Sequence, residues 1–321
     1  MRTIFFTNPY DGEMLDIVNS FAPKGLKLVL AENGSQEECM EKIRDADYLF
    51  AGHSVRVDAA LLAAAPKLRM VQRFGVGMDS VDEEAMKKRS IPLYVNRGVN
   101  ARSVAELTVL LMLALVRHLP VLIDDMRAHK WNIEGISRRE IHGQMIGMIG
   151  FGHIGTLIAG MLRPFGVKMR YWQPERWPSE IESKNEDVVF RELDDLLAES
   201  DIVSLHCMMN EENRGMVNRE FLAKMKDGAK LVNTSRGGLV NEADFAEAIR
   251  SGKLSGGALD VFNVEPLPED SPLRDLPGVI LTPHAGGVTR ESFQRILSLA
   301  FGNIEKFDEG DFDAIADRRI L

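Results

Sequence analysis

The sequence predicts an α/β protein built from two doubly wound, parallel-sheet domains. Short apolar segments alternate with amphipathic segments of helical length along most of the chain, which is typical of repeated strand–helix–strand units. This alternation runs once through the first third of the chain and restarts after a long apolar segment. The length of 321 residues, of which 45% are hydrophobic, suits two domains with separate cores.

The strand candidates fall into two series. The first series is Ile4–Thr7, Lys27–Leu30, Tyr48–Ala51, Met70–Arg73 and Leu93–Val95. The second series is Met145–Ile149, Lys168–Tyr171, Asp201–Leu205, Lys230–Asn233, Gly257–Leu259 and Val279–Leu281. Between them, Val104–Ile123 is predicted to be a buried helix, because its uninterrupted apolar part is too short to span a membrane. The last segment, Glu291–Phe307, has the pattern of an amphipathic helix, which we expect to pack on the first domain.

The charge balance and the cysteines exclude several classes of function. The chain has 39 basic and 48 acidic residues, a net charge of −9, and no basic stripe, which argues against nucleic acid and anionic membrane as partners. Cys39 and Cys207 lie far apart and have no metal-ligand spacing, so neither a disulfide framework nor a metal site is predicted. We expect a reducing, cytoplasmic location.

A glycine-rich loop follows the first strand of the second series. Residues 145–149 run into Gly150-x-Gly152-x-x-Gly155 and then into a helical segment, Thr156–Phe165. Gly150 suits the tight turn, Gly152 lets the backbone approach a pyrophosphate, and Gly155 permits close packing of helix on strand. The helix N-terminus then supplies N–H groups and the positive end of a dipole. This frame predicts a dinucleotide site, and we expect both domains to be Rossmann-like.

The next strand should end near the adenosine ribose, at Gln173. An NAD site usually has Asp or Glu there, whereas a 2′-phosphate is accommodated by a neutral residue and a nearby Arg. Gln173 lacks the carboxylate that repels NADP, and Arg176 lies close enough to bind a phosphate. Alternatively, Gln173 bonds a ribose hydroxyl of NAD and Arg176 is a solvated charge. The cofactor is therefore NAD or NADP, with NADP slightly favoured.

Three further segments place one ionisable group each just after a buried strand. They are Leu231–Gly238 with Arg236, Ala258–Pro266 with Glu265, and Leu281–Gly287 with His284 in a Pro-His pair. This set resembles the D-isomer-specific 2-hydroxyacid dehydrogenases, which include 3-phosphoglycerate, glyoxylate/hydroxypyruvate, formate and phosphite dehydrogenases.

The resemblance extends over most of the chain. Arg73–Asp82 is similar to the family's substrate-carboxylate loop, and Asn100–Glu106 to the start of its interdomain helix. It implies a discontinuous substrate domain, residues 1–98 with 289–321, and a dinucleotide-binding domain, residues 99–288. Because the carboxylate loop and the three ionisable groups fall on different domains, we expect closure of the domains to assemble the site.

The resemblance also implies a role for each ionisable group. His284 would be the acid/base that gives a proton to the keto oxygen during reduction. Glu265 would bond the other ring nitrogen and raise the pKa of His284. Arg236 would hold the substrate's carboxylate and carbonyl oxygen with its planar fork. Hydride would pass between nicotinamide C4 and substrate C2.

Further contacts are carried over by resemblance. The substrate-binding residues would be Val76 and Gly77, through their backbone N–H groups, with Asn100 and Arg236. The cofactor-binding residues would be Ser103, Val104, Gly150, Gly152, His153, Ile154, Gly155, Gln173, Arg176, His206, Cys207, Met208, Asn213, Thr234, Ser235, Asp260, Gly286 and Gly287. Substrate specificity would depend on positions such as His53, Ser54, Arg73, Met78 and Arg290.

Some positions depart from the family's pattern. Many members have Pro where Met208 stands and Thr where Asn213 stands, which makes the cofactor contacts there less certain. Asn100 and Trp131-Asn132-Ile133 are similar to the formate dehydrogenase branch, but that branch has Gln where this chain has Glu265. Because formate oxidation needs no proton transfer, Glu265 beside His284 argues against formate.

We therefore predict an NAD(P)-dependent oxidoreductase that reduces a small 2-keto acid to its D-2-hydroxy acid. Hydroxypyruvate, glyoxylate and larger 2-keto acids remain open. One alternative is a dehydrogenase of a phosphorylated hydroxyacid, although the end of the sequence at residue 321 disfavours a long allosteric phosphoglycerate dehydrogenase. From another class, a dinucleotide-sensing corepressor has the same fold. The apolar Val104–Leu119 helix and the resemblance both predict a homodimer.

Overall fold

The computed structural model describes residues 1–52, 55–131 and 138–321. They divide into two compact units, Met1–Asn100 with Thr289–Leu321 (unit 1) and Ala101–Val288 (unit 2). The sequence prediction placed the first boundary two residues earlier, after residue 98, and the second boundary at the same peptide.

Unit 1 is built on a five-stranded parallel sheet with the strand order β2-β1-β3-β4-β5. Its strands are β1 (Arg2–Phe6), β2 (Leu26–Leu30), β3 (Tyr48–Ala51), β4 (Met70–Arg73) and β5 (Leu93–Tyr94). Its helices before residue 100 are α1 (Gly12–Phe21), α2 (Gln36–Lys42), α3 (Ala59–Ala64) and α4 (Glu83–Lys88), with a 3₁₀ turn at Ile43–Asp45. The predicted first series of strands is confirmed.

Local chemistry explains where these helices begin. Ser35, Asp58 and Asp82 each accept a hydrogen bond from the backbone N–H three residues later, which caps α2, α3 and α4. Strands β3 and β4 are buried along their whole length, as expected for a parallel sheet covered on both faces.

Unit 2 begins with two helices where the sequence predicted one. Helix α5 (Ala101–Val116) is followed by α6 (Leu119–Arg127), and the predicted helix over Val104–Ile123 is wrong in this respect. The helical path is interrupted at His118, whose φ of 52° is left-handed, and Pro120 lies in the first turn of α6. Among the described residues, no single helix is long and apolar enough to cross a membrane, and the pair α5 and α6, bent by 67°, passes that test only when combined.

A seven-stranded parallel sheet follows, in the order β12-β11-β10-β9-β6-β7-β8. Its strands are β6 (Met145–Ile149), β7 (Lys168–Trp172), β8 (Val188–Phe190), β9 (Ile202–Leu205), β10 (Ala229–Asn233), β11 (Leu254–Leu259) and β12 (Val279–Leu281). Its other helices are α7 (His153–Leu162), α8 (Ser179–Glu182), α9 (Leu193–Glu199), α10 (Arg219–Lys224) and α11 (Glu242–Arg250), with 3₁₀ turns at Arg163–Phe165 and Gly237–Leu239. Strand β8 was not predicted from the sequence.

The last helix, α12 (Arg290–Glu309), belongs to unit 1 and is followed by a 3₁₀ turn, Asp313–Arg318. Thr289 and Ser292 form a capping box at its start. Its Phe293 and Phe301 lie in one core cluster with Phe6 and Phe50 of the sheet. The predicted helix Glu291–Phe307 is confirmed, as is its packing on the first sheet.

The strand order of unit 2 reverses at β6, which pairs with β7 on one side and β9 on the other. Ligands of open α/β sheets bind outside the carboxyl ends of the strands at such a switch point. The glycine-rich loop directly follows β6, so the fold places it at the expected binding edge.

Candidate active site

The glycine-rich loop leaves open space where a phosphate would lie. Gly150 has a left-handed φ of 87°, and a Cβ atom there would lie 2.6 Å from the backbone nitrogen of Cys207. At Gly152 a Cβ atom would meet nothing within 4 Å. Gly152 is also the N-cap of α7 and provides no capping side chain, so the first N–H groups of that helix remain for an anion.

A buried polar atom lies beside this loop. The Nε2 atom of His206 is buried and has no hydrogen-bond partner among the described residues. Burial lowers the pKa of His206 to about 4, so the ring is neutral at physiological pH. The backbone N–H of His206 donates to the carbonyl of Ile149 at 2.7 Å, which fixes it next to Gly150. An unsatisfied polar atom and a bare helix terminus both fit a bound dinucleotide.

The predicted ribose end of the site is held by its own hydrogen bonds. Gln173 directly follows β7; its amide accepts from the Phe151 N–H at 3.3 Å and donates to the carbonyl of Glu175 at 2.7 Å. Arg176 makes two hydrogen bonds of 2.9 Å to the carboxylate of Glu182 on α8. The hydroxyl of Tyr171 donates to the same carboxylate at 2.6 Å.

These contacts keep Glu182 ionised. Hydrogen bonds from Arg176 and then Tyr171 lower the pKa of Glu182 to about 2, while burial raises the pKa of Tyr171 to about 12. The guanidinium that the sequence assigned to a 2′-phosphate is therefore paired with a carboxylate.

Further predicted cofactor residues lie on α5 and on the loops after β9 and β10. The hydroxyls of Thr234 and Thr108 are 2.8 Å apart, and Ser235 donates to the carbonyl of Cys207 at 2.5 Å. Asn213 bonds the Met208 carbonyl and the Asn210 N–H, so its side chain is held within its own loop. Met208 is 88% exposed. Ser103 and Val104 are buried on α5.

Asp260, at the end of β11, organises the loop that carries His284. It is 1% exposed, and its carboxylate accepts from Thr282 Oγ1 at 2.5 Å and from the N–H groups of Ala285 and Gly286 at 2.9 Å each. A Cβ atom at Gly286 would lie 2.9 Å from that carboxylate. Asp260 and Gly286, both predicted to contact the cofactor, are thus hydrogen-bonded to each other within this loop.

The structure brings His284 and Glu265 together. Nδ1 of His284 lies 2.7 Å from Oε2 of Glu265, and the other carboxylate oxygen accepts from the Phe262 N–H at 3.0 Å. The hydrogen bond to Glu265 raises the pKa of His284, and the charge of Asp260 acts in the same direction. Burial and the charge of Arg236 oppose this rise without cancelling it. The backbone of His284 has a left-handed φ of 52°, a conformation that its fixed loop imposes.

Arg236 follows β10 in extended backbone conformation. Asn233 donates to the Arg236 carbonyl at 2.8 Å, which fixes the turn after the strand. At the next residue, a Cβ atom on Gly237 would lie 2.0 Å from the carbonyl carbon of Phe262, so this glycine permits the Arg236 segment to pack on the Glu265 segment. The positive charge of Arg236 acts on the imidazole of His284, which favours its protonated form.

The predicted substrate residues of unit 1 that the structure describes lie at the end of β4, in the loops that follow β4 and β5, or at the start of α12. Arg73 is 4% exposed and donates to the carbonyls of Gly77 at 3.2 Å and Gly52 at 2.6 Å. Val76 is 47% exposed. Arg290 pairs with Glu13 at 2.9 Å.

The other predicted residues are placed as follows. Gly77, Met78 and Asn100 are partly exposed. His53, Ser54, Asn132 and Ile133 lie outside the described residues.

The family model of the D-isomer specific 2-hydroxyacid dehydrogenase NAD binding domain matches residues 109–286. The chain belongs to the D-isomer-specific 2-hydroxyacid dehydrogenase family. It is 36% identical to a hydroxypyruvate reductase of Thermotoga maritima over 271 residues, covering 84% of this chain and 87% of the relative.

The chain is also similar to two further proteins. A D-3-phosphoglycerate dehydrogenase of Mycobacterium tuberculosis is 39% identical over 81% of this chain, which spans about half (49%) of that relative. The crystal structure of a D-lactate dehydrogenase from Aquifex aeolicus, complexed with NAD and lactic acid, has 27% identity, a TM-score of 0.84 and 99% coverage of both chains.

Several residues of this dehydrogenase site were not predicted from the sequence. Thr282 orients Asp260, Thr108 orients Thr234, and Glu182 binds Arg176. Thr282 carries a recognisable signal, since a hydroxyl at a strand end two residues before a candidate His is placed to fix its loop. Glu182 carries none, because its pairing with Arg176 depends on how the loop after β7 folds back.

The Glu265 contact predicts the titration of His284. In the wild-type protein we expect the pKa of His284 to lie above 6.5, and we expect Glu265→Gln to lower it, because a neutral amide stabilises an imidazolium less than a carboxylate does. NMR titration of the His284 ring protons measures both values. Glu242→Gln, which removes a nearby carboxylate bonded to the Asn263 N–H, is the control that should not change this pKa. An unchanged pKa in Glu265→Gln would contradict the assignment.

Proposed function

We propose that this dehydrogenase reduces a small 2-keto acid to its D-2-hydroxy acid, with His284, Glu265 and Arg236 as its catalytic residues. The observation that carries the proposal is the 2.7 Å contact between His284 and Glu265, which favours a protonated imidazole. A ring in its protonated form can donate that proton, which suits reduction of a keto group, because the keto oxygen must be protonated.

We assign the proton transfer to one ring nitrogen. Because Nδ1 of His284 is bonded to Glu265, Nε2 is the atom that gives its proton to the keto oxygen. The bound nicotinamide supplies the hydride at its C4 atom. In the oxidation direction the neutral Nε2 accepts the hydroxyl proton, so the rate of reduction should fall, and that of oxidation rise, as the pH passes upward through the raised pKa of His284.

Arg236 supplies the charge that a keto acid needs. Its guanidinium offers paired donors to a carboxylate and a carbonyl oxygen, which orient the substrate and stabilise the negative charge that develops on oxygen. In unit 1, the backbone N–H groups of Val76 and Gly77 are the proposed partners of the substrate carboxylate. Neither N–H donates a hydrogen bond to another residue that the structure describes.

Turnover of a substrate panel tests this function. We expect oxidation of NADH or NADPH, followed at 340 nm, with glyoxylate or hydroxypyruvate, and slower or no turnover with phosphohydroxypyruvate. Arg236→Lys should lower kcat/KM by about a hundredfold, because an ammonium cannot replace the planar fork, while the Kd for NADH stays unchanged. Arg214→Lys, on a neighbouring exposed loop, is the matched control. Binding of both cofactors without turnover of any keto acid would exclude the proposal.

The cofactor preference is a separate part of the proposal. We infer that the site accepts both NADH and NADPH, with NADPH slightly favoured, since Gln173 presents no carboxylate to a 2′-phosphate. Glu182 limits this preference, because it competes with the 2′-phosphate for the guanidinium of Arg176.

Two substitutions test the competition. Glu182→Gln should raise affinity for NADPH relative to NADH by roughly fivefold, because it releases the guanidinium of Arg176 for the 2′-phosphate, and Arg176→Gln in addition should abolish the gain. Binding of NADPH and NADH, followed by their fluorescence, measures the ratio. Glu180→Gln, on the same short helix, is the control. A ratio that does not respond to Glu182→Gln would show that Arg176 has no part in binding the 2′-phosphate.

A homodimer is the proposed assembly. Helices α5 and α6 expose Leu110, Leu119, Ile123 and Met126, each by between 40% and 57%, which is the kind of apolar patch that a second copy covers. Light scattering at micromolar concentration should give twice the mass of one chain. Leu110→Glu with Met126→Glu should give monomers, whereas Val189→Glu, on the edge strand β8, should not. A monomeric wild-type mass would exclude the dimer.

A further inference from the structure

A chain of polar side chains runs through the interior of unit 1. Gln72 on β4, Asn96 after β5 and Asn303 on α12 are each 0% exposed, although their surroundings are otherwise apolar. Arg318, at the end of the last 3₁₀ turn, is partly exposed and begins the chain of hydrogen bonds. We call Arg318, Asn303, Gln72 and Asn96 the amide relay.

Each bond in the relay has one direction. Arg318 Nη1 donates to Asn303 Oδ1 at 2.8 Å, and Asn303 Nδ2 donates to Gln72 Oε1 at 2.8 Å. Gln72 Nε2 then donates to Asn96 Oδ1 at 3.1 Å. A guanidinium has donors and no acceptor, so it meets only the oxygen of the first amide. That choice orients the amide nitrogen of Asn303 toward Gln72, and of Gln72 toward Asn96.

The relay ends on the loop proposed to bind the substrate carboxylate. Asn96 Nδ2 donates to the carbonyls of Arg73 at 3.1 Å and Phe74 at 3.2 Å, and the Asn96 N–H donates to the carbonyl of Gly75 at 3.4 Å. Three consecutive carbonyls are thereby held just before Val76 and Gly77. The Arg73 guanidinium closes the loop by donating to the Gly77 carbonyl.

We propose that the amide relay positions the carboxylate-binding loop, so that Arg318 and Asn303, although they lie at the C-terminal end of the chain, are positioning residues for substrate binding. This inference rests on the proposed function. With its carbonyls fixed by donors from inside the unit, the loop presents the N–H groups of Val76 and Gly77, which suits an anion. Burying three amides destabilises the fold unless every one of them is hydrogen-bonded, and apolar side chains would fill the same space without that requirement. Holding the loop is what these amides do that apolar residues cannot.

The decisive variant is Asn303→Asp, which changes one atom. The carboxylate still accepts from Arg318 but cannot donate to Gln72 Oε1, so the relay loses its direction at this link. We expect the KM for the 2-keto acid to rise about tenfold, with kcat and the Kd for NADH changed less than twofold. Hydrogen–deuterium exchange should quicken in peptides covering residues 74–78.

Arg318 is partly exposed, and its substitution gives a second test that does not depend on the folding of Asn303→Asp. Arg318→Leu should reproduce the raised KM and the faster exchange, and Arg318→Lys, which keeps a donor-only cation, should restore both. Ile315→Val, a buried substitution in the same 3₁₀ turn, controls for general loss of stability. A KM and an exchange rate that follow only the stability of the variants would overturn the relay.

The two proposals can fail separately. Faster exchange at residues 74–78 measures the hold on the loop even without turnover, so it supports or overturns the positioning role by itself. Absence of wild-type turnover with every 2-keto acid would instead exclude the proposed function.

Discussion

The parallel order of the strands in unit 2 is the constraint on which the site depends. Because every strand runs in the same direction, the residues that follow β6, β9, β10, β11 and β12 reach one edge of a single sheet. The glycine-rich loop, Arg236, Asp260 and His284 come from distant parts of the chain and share only this edge. A reversal of any one strand would remove its functional residue from the site.

At that edge, two carboxylates act on His284 in different ways. Asp260 is enclosed and binds the loop backbone on both sides of the imidazole, so it determines where the ring stands. Glu265 is partly exposed and binds the ring itself, so it determines how firmly the ring holds its proton. Position is thus controlled by Asp260, and proton affinity mainly by the hydrogen bond to Glu265, to which the charge of Asp260 adds a smaller rise.

The sequence was sufficient for features that depend on local patterns. Apolar strands, the Gly150–Gly155 turn and the amphipathic α12 follow from residue spacing alone, and the resemblance placed Arg236, Glu265 and His284 in order along the chain. It was insufficient where the outcome depends on side chains meeting from remote segments. The ion pair of Arg176 with Glu182 is one example. The break at His118 was signalled by Pro120, but the strong apolar pattern across it favoured one helix. Gln72 was also visible as a polar residue within a buried strand, yet its partner Asn303 lies 231 residues away.

Unit 1 and unit 2 fix their loops with opposite chemistry. In unit 2 an acceptor, the Asp260 carboxylate, binds the N–H groups of Ala285 and Gly286, which leaves the side chain of His284 as the proposed reactive group of its loop. In unit 1 a donor, the Asn96 amide, binds the carbonyls of Arg73 and Phe74, which leaves backbone N–H groups as the proposed binding groups. A loop whose carbonyls are bound internally attracts anions, and one whose N–H groups are bound internally does not compete for them. In the proposed function, the polarity of the buried partner therefore suits the loop of unit 1 to binding a carboxylate and the loop of unit 2 to transferring a proton.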